Sequence, residues 1–273
     1  MDDGVFSGTA AIVVAHPDDE VLWLGGHLDR FAQLGRLIHV TDGAPLDPRF
    51  REAAGSPSRP AYARSRRAEM QRAVALAGIH EEQCLCLDVI DRETPFHLEA
   101  ITRALYELFC AERPEHVLTH AYEGAHMDHD ACAFCVREAV SRMERAGLAV
   151  PCVLEFAAYH AWAGGFRCFE FLPGEGPPAR TLALDAEQRR KKQAMYACFS
   201  QPLTAFPIAV ERIRRAPVYD FSRRPHEGPL MYETGRAAFP FSEWAARAAA
   251  AEAAPPRTEA ASGGGGGTEV RDR

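Results

Sequence analysis

The sequence predicts an α/β fold: a Rossmann-like, mainly parallel sheet flanked by helices, with an irregular C-terminal part. Short apolar runs alternate with longer segments of helical period, turn-forming residues separate them, and the pattern loosens after about residue 173. Such alternation is typical of β-α-β units, whose strands run parallel. With 47% hydrophobic and 25% charged residues, the 273-residue chain is globular in composition and long enough to bury a substantial core.

Each element follows from a local pattern. Compact apolar runs predict strands, and apolar residues three and four apart predict helices. The predicted strands are 10–15, 37–41, 84–89, 117–120, 153–159 and 166–172, and the predicted helices are 20–34, 62–77, 97–110, 128–146 and 187–199. Residues 44–60 contain four prolines and a glycine, which predicts a long loop of the kind that often covers a site.

We expect one α/β domain over residues 1–253, with its core at 8–202, and a disordered tail at 254–273. Alanine, proline and five consecutive glycines in this tail cannot offset the entropy of ordering. The basic run at 189–192 predicts a solvated helix face. The pair Cys132 and Cys135 lies among apolar neighbours, which favours buried free thiols over a metal or redox site.

Charge and hydropathy exclude several classes of partner. The formal net charge of -7 carries no basic excess for a phosphate backbone, so no nucleic-acid partner is expected. No apolar run approaches the ~18 residues of a spanning helix. The N-terminus lacks the positive region of a signal peptide, so we expect a cytoplasmic protein with no membrane partner.

The sharpest chemical signal is the hexapeptide AHPDDE at 15–20, directly after the first predicted strand. In open α/β sheets, sites form at the carboxyl ends of strands. His16 offers an imidazole, and Asp18 and Asp19 are neighbouring carboxylates that repel each other without a cation. A divalent metal resolves that conflict and leaves one carboxylate free as a base. Helix capping would need only one aspartate and leaves His16 unexplained.

A second cluster, THAYEGAHMDH at 119–129, follows the fourth predicted strand. Its histidines can converge with the first cluster, because both clusters occupy the same edge of the sheet. Three protein ligands plus water are usual for catalytic zinc. His16 and Asp19 supply two, and one histidine of this cluster supplies the third. His120 and His160 are alternatives for that ligand, since both follow strands, and a remaining histidine is free for acid–base work.

The two clusters together resemble the LmbE-like, or PIG-L, family of zinc-dependent N-acetylglucosamine deacetylases. AHPDDE stands unmodified, and the family's GxHxDH appears as GAHMDH at 124–129. The weaker elements are V-T-x-G at 40–43, an R-x-x-E helix beginning at Arg66 and Glu69, and Ser200-Gln201. The chain departs from the family at Ala44, where an acidic residue is common, at Ala77, usually leucine, and at Met127, usually proline.

Carried over by motif position, the resemblance implies that His16, Asp19 and His129 bind Zn2+. Fe2+ would tolerate the same ligands. Asp18 would be the general base, and His126 would stabilise the oxyanion of the tetrahedral intermediate or assist departure of the amine. Metal and imidazole would then share the developing negative charge.

Within this family the chain is similar to the deacetylases of glycopeptide-antibiotic biosynthesis, which act on a teicoplanin-like pseudoaglycone. A small-molecule glycoconjugate substrate is implied, and the 44–60 loop with the aromatic segment 159–171, including Trp162 and Phe166, could frame a wide entrance. A deacetylase of small thiol-precursor glycosides, of mycothiol or bacillithiol type, is the alternative, followed by a noncatalytic metal-dependent carbohydrate-binding protein. A nucleotide site is disfavoured, since the first turn is acidic rather than glycine-rich.

Overall fold

The computed structural model describes residues 8–31, 35–162, 165–174, 176–201, 203, 206–234 and 238–254. The strands are Ala10–Val14 (β1), Gly35–Thr41 (β2), Cys84–Val89 (β3), His116–His120 (β4), Cys152–Phe156 (β5), Tyr159–Trp162 (β6), Gly165–Cys168 (β7), Arg180–Ala183 (β8) and Val210–Arg215 (β9). The helices are Asp19–Leu24 (α1), Pro48–Ala53 (α2), Arg59–Ala75 (α3), Leu98–Glu112 (α4), Met127–Arg145 (α5), Ala186–Tyr196 (α6) and Phe241–Glu252 (α7). Apart from Ala254, the tail predicted at 254–273 lies outside the described residues.

A seven-stranded sheet in the order β3-β2-β1-β4-β5-β9-β8 organises the fold. β1 to β5 pair in parallel, whereas β9 and β8 are antiparallel to their neighbours. β6 and β7 form a separate antiparallel hairpin. The predicted α/β class with a mainly parallel sheet is confirmed.

The central strand β1 fixes where the two motifs meet. Ala10 pairs with Gly35 of β2 on one side and with His116 of β4 on the other. The chain runs outward from β1 through β2 to β3 and then returns to β4, so the strand order reverses between β1 and β4. This reversal opens a crevice at the carboxyl ends of both strands. AHPDDE and GAHMDH follow these two strands and are thereby brought together.

Helices cover both faces of the sheet because β1 is buried on each. Ala11 and Val13 join a cluster with α4 and α5, whereas Ile12 and Val14 join one with α1 and α3. Alternate residues of a strand point to opposite faces, so a strand covered on both sides is apolar throughout, as AAIVV is.

Two predicted elements differ from the structure. The first helix ends at Leu24 instead of continuing to 34, because Gly25 and Gly26 follow and glycine disfavours the helical state. The segment 44–60 contains α2 and the start of α3. Asp47 caps α2 by accepting a hydrogen bond from the Arg49 N–H, with Pro48 at the first helical position. Proline there begins a helix, so the proline-rich pattern marked helix starts as well as turns.

The region after residue 173 contributes elements that no local pattern indicated. β9 inserts between β5 and β8, and α7 packs against α4 and α5. All eight cysteines are free, and Cys132 and Cys135 are buried in α5, as predicted. In the part of the chain that the structure describes, every helix is too short or too polar to cross a membrane.

The basic helix α6 is only partly a solvated face, which corrects the prediction for 189–192. Lys192 is fully buried, and its Nζ donates to Glu211 Oε1 of β9 at 2.7 Å. Glu211 also accepts the Gly26 N–H at 2.7 Å and lies 2.7 Å from His27 Nδ1. This buried pair therefore ties α6, β9 and the end of α1 together.

Replacing Lys192 with methionine should destabilise the fold by about 3–5 kcal/mol, because Glu211 would stay buried without its cation. Lys191→Met is the matched control. Lys191 lies 2.6 Å from Asp29 in a partly exposed pair, which should contribute at most about 1 kcal/mol. Urea unfolding of both variants measures the difference. Similar small losses in the two variants would contradict a structural role for the buried pair.

Candidate active site

The turn after β1 aims Asp18 away from the helix that it precedes. Asp18 occupies the N-cap position of α1, yet its side chain makes no capping hydrogen bond. Its Oδ2 instead accepts a hydrogen bond from Arg66 of α3 at 2.7 Å. Arg66 is buried and also donates to the Pro17 carbonyl at 3.1 Å. Capping therefore does not explain Asp18, whose carboxylate lines an open cavity.

Asp19 lies at the centre of the site, with 2% of its surface exposed. Its carboxylate accepts hydrogen bonds from the His16 backbone N–H at 2.8 Å and the Trp23 indole at 2.9 Å. One oxygen lies 3.1 Å from His16 Nδ1, and the other lies 3.3 Å from His129 Nε2. Burial opposes ionisation, but His129 and His120 outweigh it and hold the pKa of Asp19 well below its usual range.

The three candidates for the third ligand occupy different environments. His129 faces Asp19 at the start of α5. His120 stacks on His129 with ring centroids 3.9 Å apart, and its Nε2 accepts the Ala15 N–H at 3.1 Å. Burial, together with the nearby His129, lowers the pKa of His120 to about 3. His160 lies elsewhere, with its Nδ1 3.7 Å from Glu123. His120 Nε2 also lies 3.4 Å from Asp19, close to the 3.3 Å of His129. Of the three candidates His129 alone lines the cavity, which favours it as the ligand.

His126 stands at the mouth of the site, beside His16. Their ring centroids are 4.5 Å apart. His126 precedes α5, and its Nδ1 accepts the Asp128 N–H at 3.2 Å. That bond leaves the proton of a neutral ring on Nε2. Burial lowers the pKa of His126, and a positive charge at His16 lowers it further, which favours the neutral ring with its donor on Nε2.

Two carboxylates to which the sequence assigned no role also contact His16. Its Nε2 lies 3.1 Å from Asp128 and 3.3 Å from Asp91. Burial disfavours the charged ring, but Asp91 and Asp128 outweigh that and raise the pKa of His16. Asp91 follows β3 closely, so the strand-end rule applied to β1 and β4 could have found it.

The weaker motif elements have visible structural roles. Gly43 has a φ of 66°, and a Cβ there would lie 2.6 Å from the Pro17 ring, so only glycine allows this turn to pack against the first motif. The Thr41 hydroxyl donates to the Ala15 carbonyl at 2.8 Å. Glu69 accepts the Ser200 N–H at 3.1 Å. Thr41 and Glu69 thus support the site from behind, whereas Gly43 also lines its cavity.

Nitrogen and oxygen donors suited to a divalent metal converge here. Within the described ranges, potential ligand atoms lie within 4.8 Å of one another in three overlapping groups: His16, His126 and His129; Asp19, His120 and His129; and His16, Asp91, His126 and Asp128. The predicted set of His16, Asp19 and His129 spans the first two groups, which share His129. The buried His129 Nδ1 has no hydrogen-bond partner among the residues that the structure describes. Imidazole and carboxylate donors fit Zn2+ or Fe2+.

Aromatic side chains shape the cavity above the cluster, which encloses about 270 Å3. Phe50 of α2 lines it, so the 44–60 segment does face the site. The aromatic residues predicted to frame an entrance lie on both faces of the β6–β7 hairpin, because neighbouring residues of a strand point to opposite faces. Tyr159 lines the cavity and Phe166 packs against it, with ring centroids 5.4 Å apart. Trp162 lies on the other face of the hairpin, near His160.

His16→Ala and Asp19→Ala should each lose a bound divalent metal, since two remaining protein ligands rarely hold zinc. His160→Ala is the control and should keep it, because His160 lies outside the cluster. Metal content per chain, measured on folded protein after dialysis at micromolar concentration, checks this. Stoichiometric metal in either of the first two variants would show that the ligand set is wrong.

Solved structures show the same fold in proteins of different activity. A deacetylase of the A40926 pseudoaglycone is 19% identical, covers 77% of this chain and 99% of its own, and superposes with a TM-score of 0.56. The N,N'-diacetylchitobiose deacetylase from Pyrococcus horikoshii is 17% identical, with coverages of 80% and 86% and a TM-score of 0.56. A 4-carboxy-2-hydroxymuconate hydratase from Pseudomonas putida is 19% identical, with coverages of 71% and 79% and a TM-score of 0.51.

At these identities the solved structures establish a shared fold and no more. No curated protein sequence matches the chain. Residues 11–140, which include both motifs, match the family described as PIG-L: GlcNAc-PI de-N-acetylase. Over this region the protein is therefore similar to the PIG-L family, and the resemblance indicated by AHPDDE and GAHMDH is confirmed.

Proposed function

We propose that the protein is a metal-dependent deacetylase that hydrolyses the N-acetyl group of an N-acetylglucosaminyl conjugate. One observation carries the proposal: Asp19 lies between His16 and His129 while Asp18, free of any capping role, lines the same cavity. A ligand set with a carboxylate beside it is what amide hydrolysis requires. A noncatalytic carbohydrate-binding protein would need the metal ligands but not this second carboxylate.

His16, Asp19 and His129 would hold the metal. When bound, Zn2+ or Fe2+ supplies Lewis acidity, which polarises the acetamide carbonyl and lowers the pKa of water. Asp128 contacts the other nitrogen of His16 at 3.1 Å. Such a carboxylate orients a ligating imidazole and raises its basicity. Asp128 is thus placed to orient His16 as a metal ligand.

Asp18 is the proposed general base. Its carboxylate accepts the proton of the attacking water, and Arg66 fixes its orientation through the 2.7 Å hydrogen bond. Glu20, the other acidic residue of the motif, is unsuited to this role. It is fully buried, and its Oε2 lies 3.0 Å from His39 Nε2 on the far side of the turn.

His126 is the proposed partner of the developing charge. Its neutral ring can direct an Nε2–H toward the oxyanion as the acetyl carbon becomes tetrahedral. A preorganised donor of this kind stabilises the transition state more than the ground state. The departing amine takes the proton that Asp18 accepted from water, because a neutral imidazole that gave up its remaining proton would be left as an imidazolate.

The substrate proposed is a bulky conjugate, and specifically a glycopeptide pseudoaglycone, which would place the enzyme in antibiotic biosynthesis. The cavity at the cluster has room for the acetamide and its sugar ring. A second cavity of about 430 Å3 adjoins it and shares Phe50, His126 and Tyr159. The adjoining space supports a substrate that extends beyond the sugar.

Asp18→Asn should keep the metal and lose about 10² to 10⁴-fold in kcat, because an amide cannot accept the proton of water. Asp88→Asn is a matched control at an exposed position with a φ of 55°, which asparagine tolerates. Steady-state rates and metal content of both variants test the assignment. A loss below about tenfold in Asp18→Asn would remove it from the mechanism.

Free N-acetylglucosamine should react more slowly than a teicoplanin-type pseudoaglycone, with lower kcat as well as higher KM. Contacts to the remote aglycone would hold the acetamide in a reactive position, and a truncated substrate loses them. Comparing kcat/KM for the sugar, a small thiol-precursor glycoside and the pseudoaglycone tests this. Equal values would show that only the sugar is recognised, and preference for the small precursor would assign the enzyme to the thiol-precursor class.

A further inference from the structure

The cavity beside the catalytic cluster contains a cation that the proposed reaction does not use. Three charged residues line this cavity: Asp47, Arg49 and Arg92. The first two neutralise each other, because Arg49 Nε donates to the Asp47 carboxylate at 2.9 and 3.0 Å. Arg92 differs. In the part of the chain that the structure describes, no carboxylate lies within 4.0 Å of its guanidinium.

Arg92 is nevertheless held in place. Its guanidinium carbon lies 5.1 Å from the centre of the Phe50 ring, a cation–π contact across the wall of the cavity. Its backbone N–H donates to Asp128 Oδ2 at 2.7 Å. A planar cation that rests on an aromatic face keeps its N–H edges available, so it can bind a second group.

The backbone at Arg92 is strained in a way that separates two side chains. Its φ is 71°, which a residue with a Cβ rarely adopts. The preceding Asp91 lies 3.3 Å from His16 at the catalytic cluster. The turn at Asp91 and Arg92 is hydrogen-bonded to Asp128. It places the Asp91 carboxylate at the cluster and the Arg92 guanidinium at the adjoining cavity.

We infer that Arg92 binds an anionic group, a carboxylate or a phosphate, on the aglycone of the substrate. This inference rests on the proposed deacetylase function and narrows its substrate to an acidic N-acetylglucosaminyl conjugate. A guanidinium matches the planar, bidentate geometry of a carboxylate and also suits phosphate. Among the described residues, Arg92 has no carboxylate partner whereas Asp47 and Arg49 pair with each other, and this difference points to an incoming anion.

The charge distribution also sets the direction in which such a substrate enters. Four carboxylates, Asp18, Asp19, Asp91 and Asp128, surround or contact the catalytic cluster. A bound divalent metal would offset these carboxylates, whereas Arg92 lies outside the cluster and can bind the acid. The neutral acetamide then occupies the cluster while the acid is held in the second cavity. A charged group placed in one of two adjoining spaces gives specificity as well as affinity.

The test uses a matched pair of substrates, 4-carboxyphenyl N-acetylglucosaminide and its 4-carbamoylphenyl counterpart, which differ in charge but hardly in shape. The wild-type protein should prefer the carboxylate in kcat/KM. Arg92→Met should lose about 10- to 100-fold on the carboxylate, the range of a charged hydrogen bond, and less than about threefold on the carboxamide. Arg49→Met should keep the preference, because that arginine is already paired. A 4-phosphophenyl substrate shows whether phosphate is bound better than carboxylate.

Two results would overturn the inference: no preference for either acid in the wild-type protein, or equal losses on acid and amide in Arg92→Met. The second result would mean that Arg92 acts through the backbone of its turn.

Calorimetry on Asp18→Asn, with and without Arg92→Met, separates this inference from the proposed function. Tighter binding of the acid that depends on Arg92 would support the anion site even without turnover. Turnover of both substrates with no acid preference would leave the deacetylase intact and remove the anion site.

Discussion

The burial of one carboxylate, that of Asp19, is the constraint on which the site depends. A charged group with 2% of its surface exposed is costly unless donors and positive charge surround it. The Trp23 indole and the His16 backbone satisfy it locally. The remaining compensation comes from His129, which belongs to a distant part of the sequence. Ionised Asp19 therefore requires β1 and β4 to lie side by side, and a bound cation would complete what the imidazoles begin.

Three consecutive acidic residues extend this constraint through the fold, because each has a different partner. Asp18 is bound by Arg66 of α3, Asp19 faces the histidines after β4, and Glu20 lies 3.0 Å from His39 of β2. One turn of chain thus connects a helix, a loop and a neighbouring strand. The three residues also differ in function. Asp18 and Asp19 line the cavity, whereas the carboxylate of Glu20 is buried against His39 and has a structural role.

The charged groups around the site are divided between the cluster and the adjoining cavity. Carboxylates concentrate at the cluster, where a divalent cation would neutralise them. Arg92, which has no carboxylate partner in the described part of the chain, lies in the adjoining cavity. Asp128 links the two regions, because its carboxylate contacts His16 and also accepts the N–H of Arg92. The proposed metal site and the proposed anion site would thereby share one buried group. A change at Asp128 would therefore alter both sites.

The sequence by itself determined the class of fold and the two motifs of the site, because both depend on local patterns. Strand and helix periods, and the rule that parallel strands present their carboxyl ends together, were enough to expect AHPDDE and GAHMDH at one edge. Only the tertiary structure decided that Lys192 is buried, that β9 enters the sheet beside β5, and that Trp162 and Phe166 face opposite ways. Each of these depends on a partner distant in the chain or on strand register, and composition and spacing report neither.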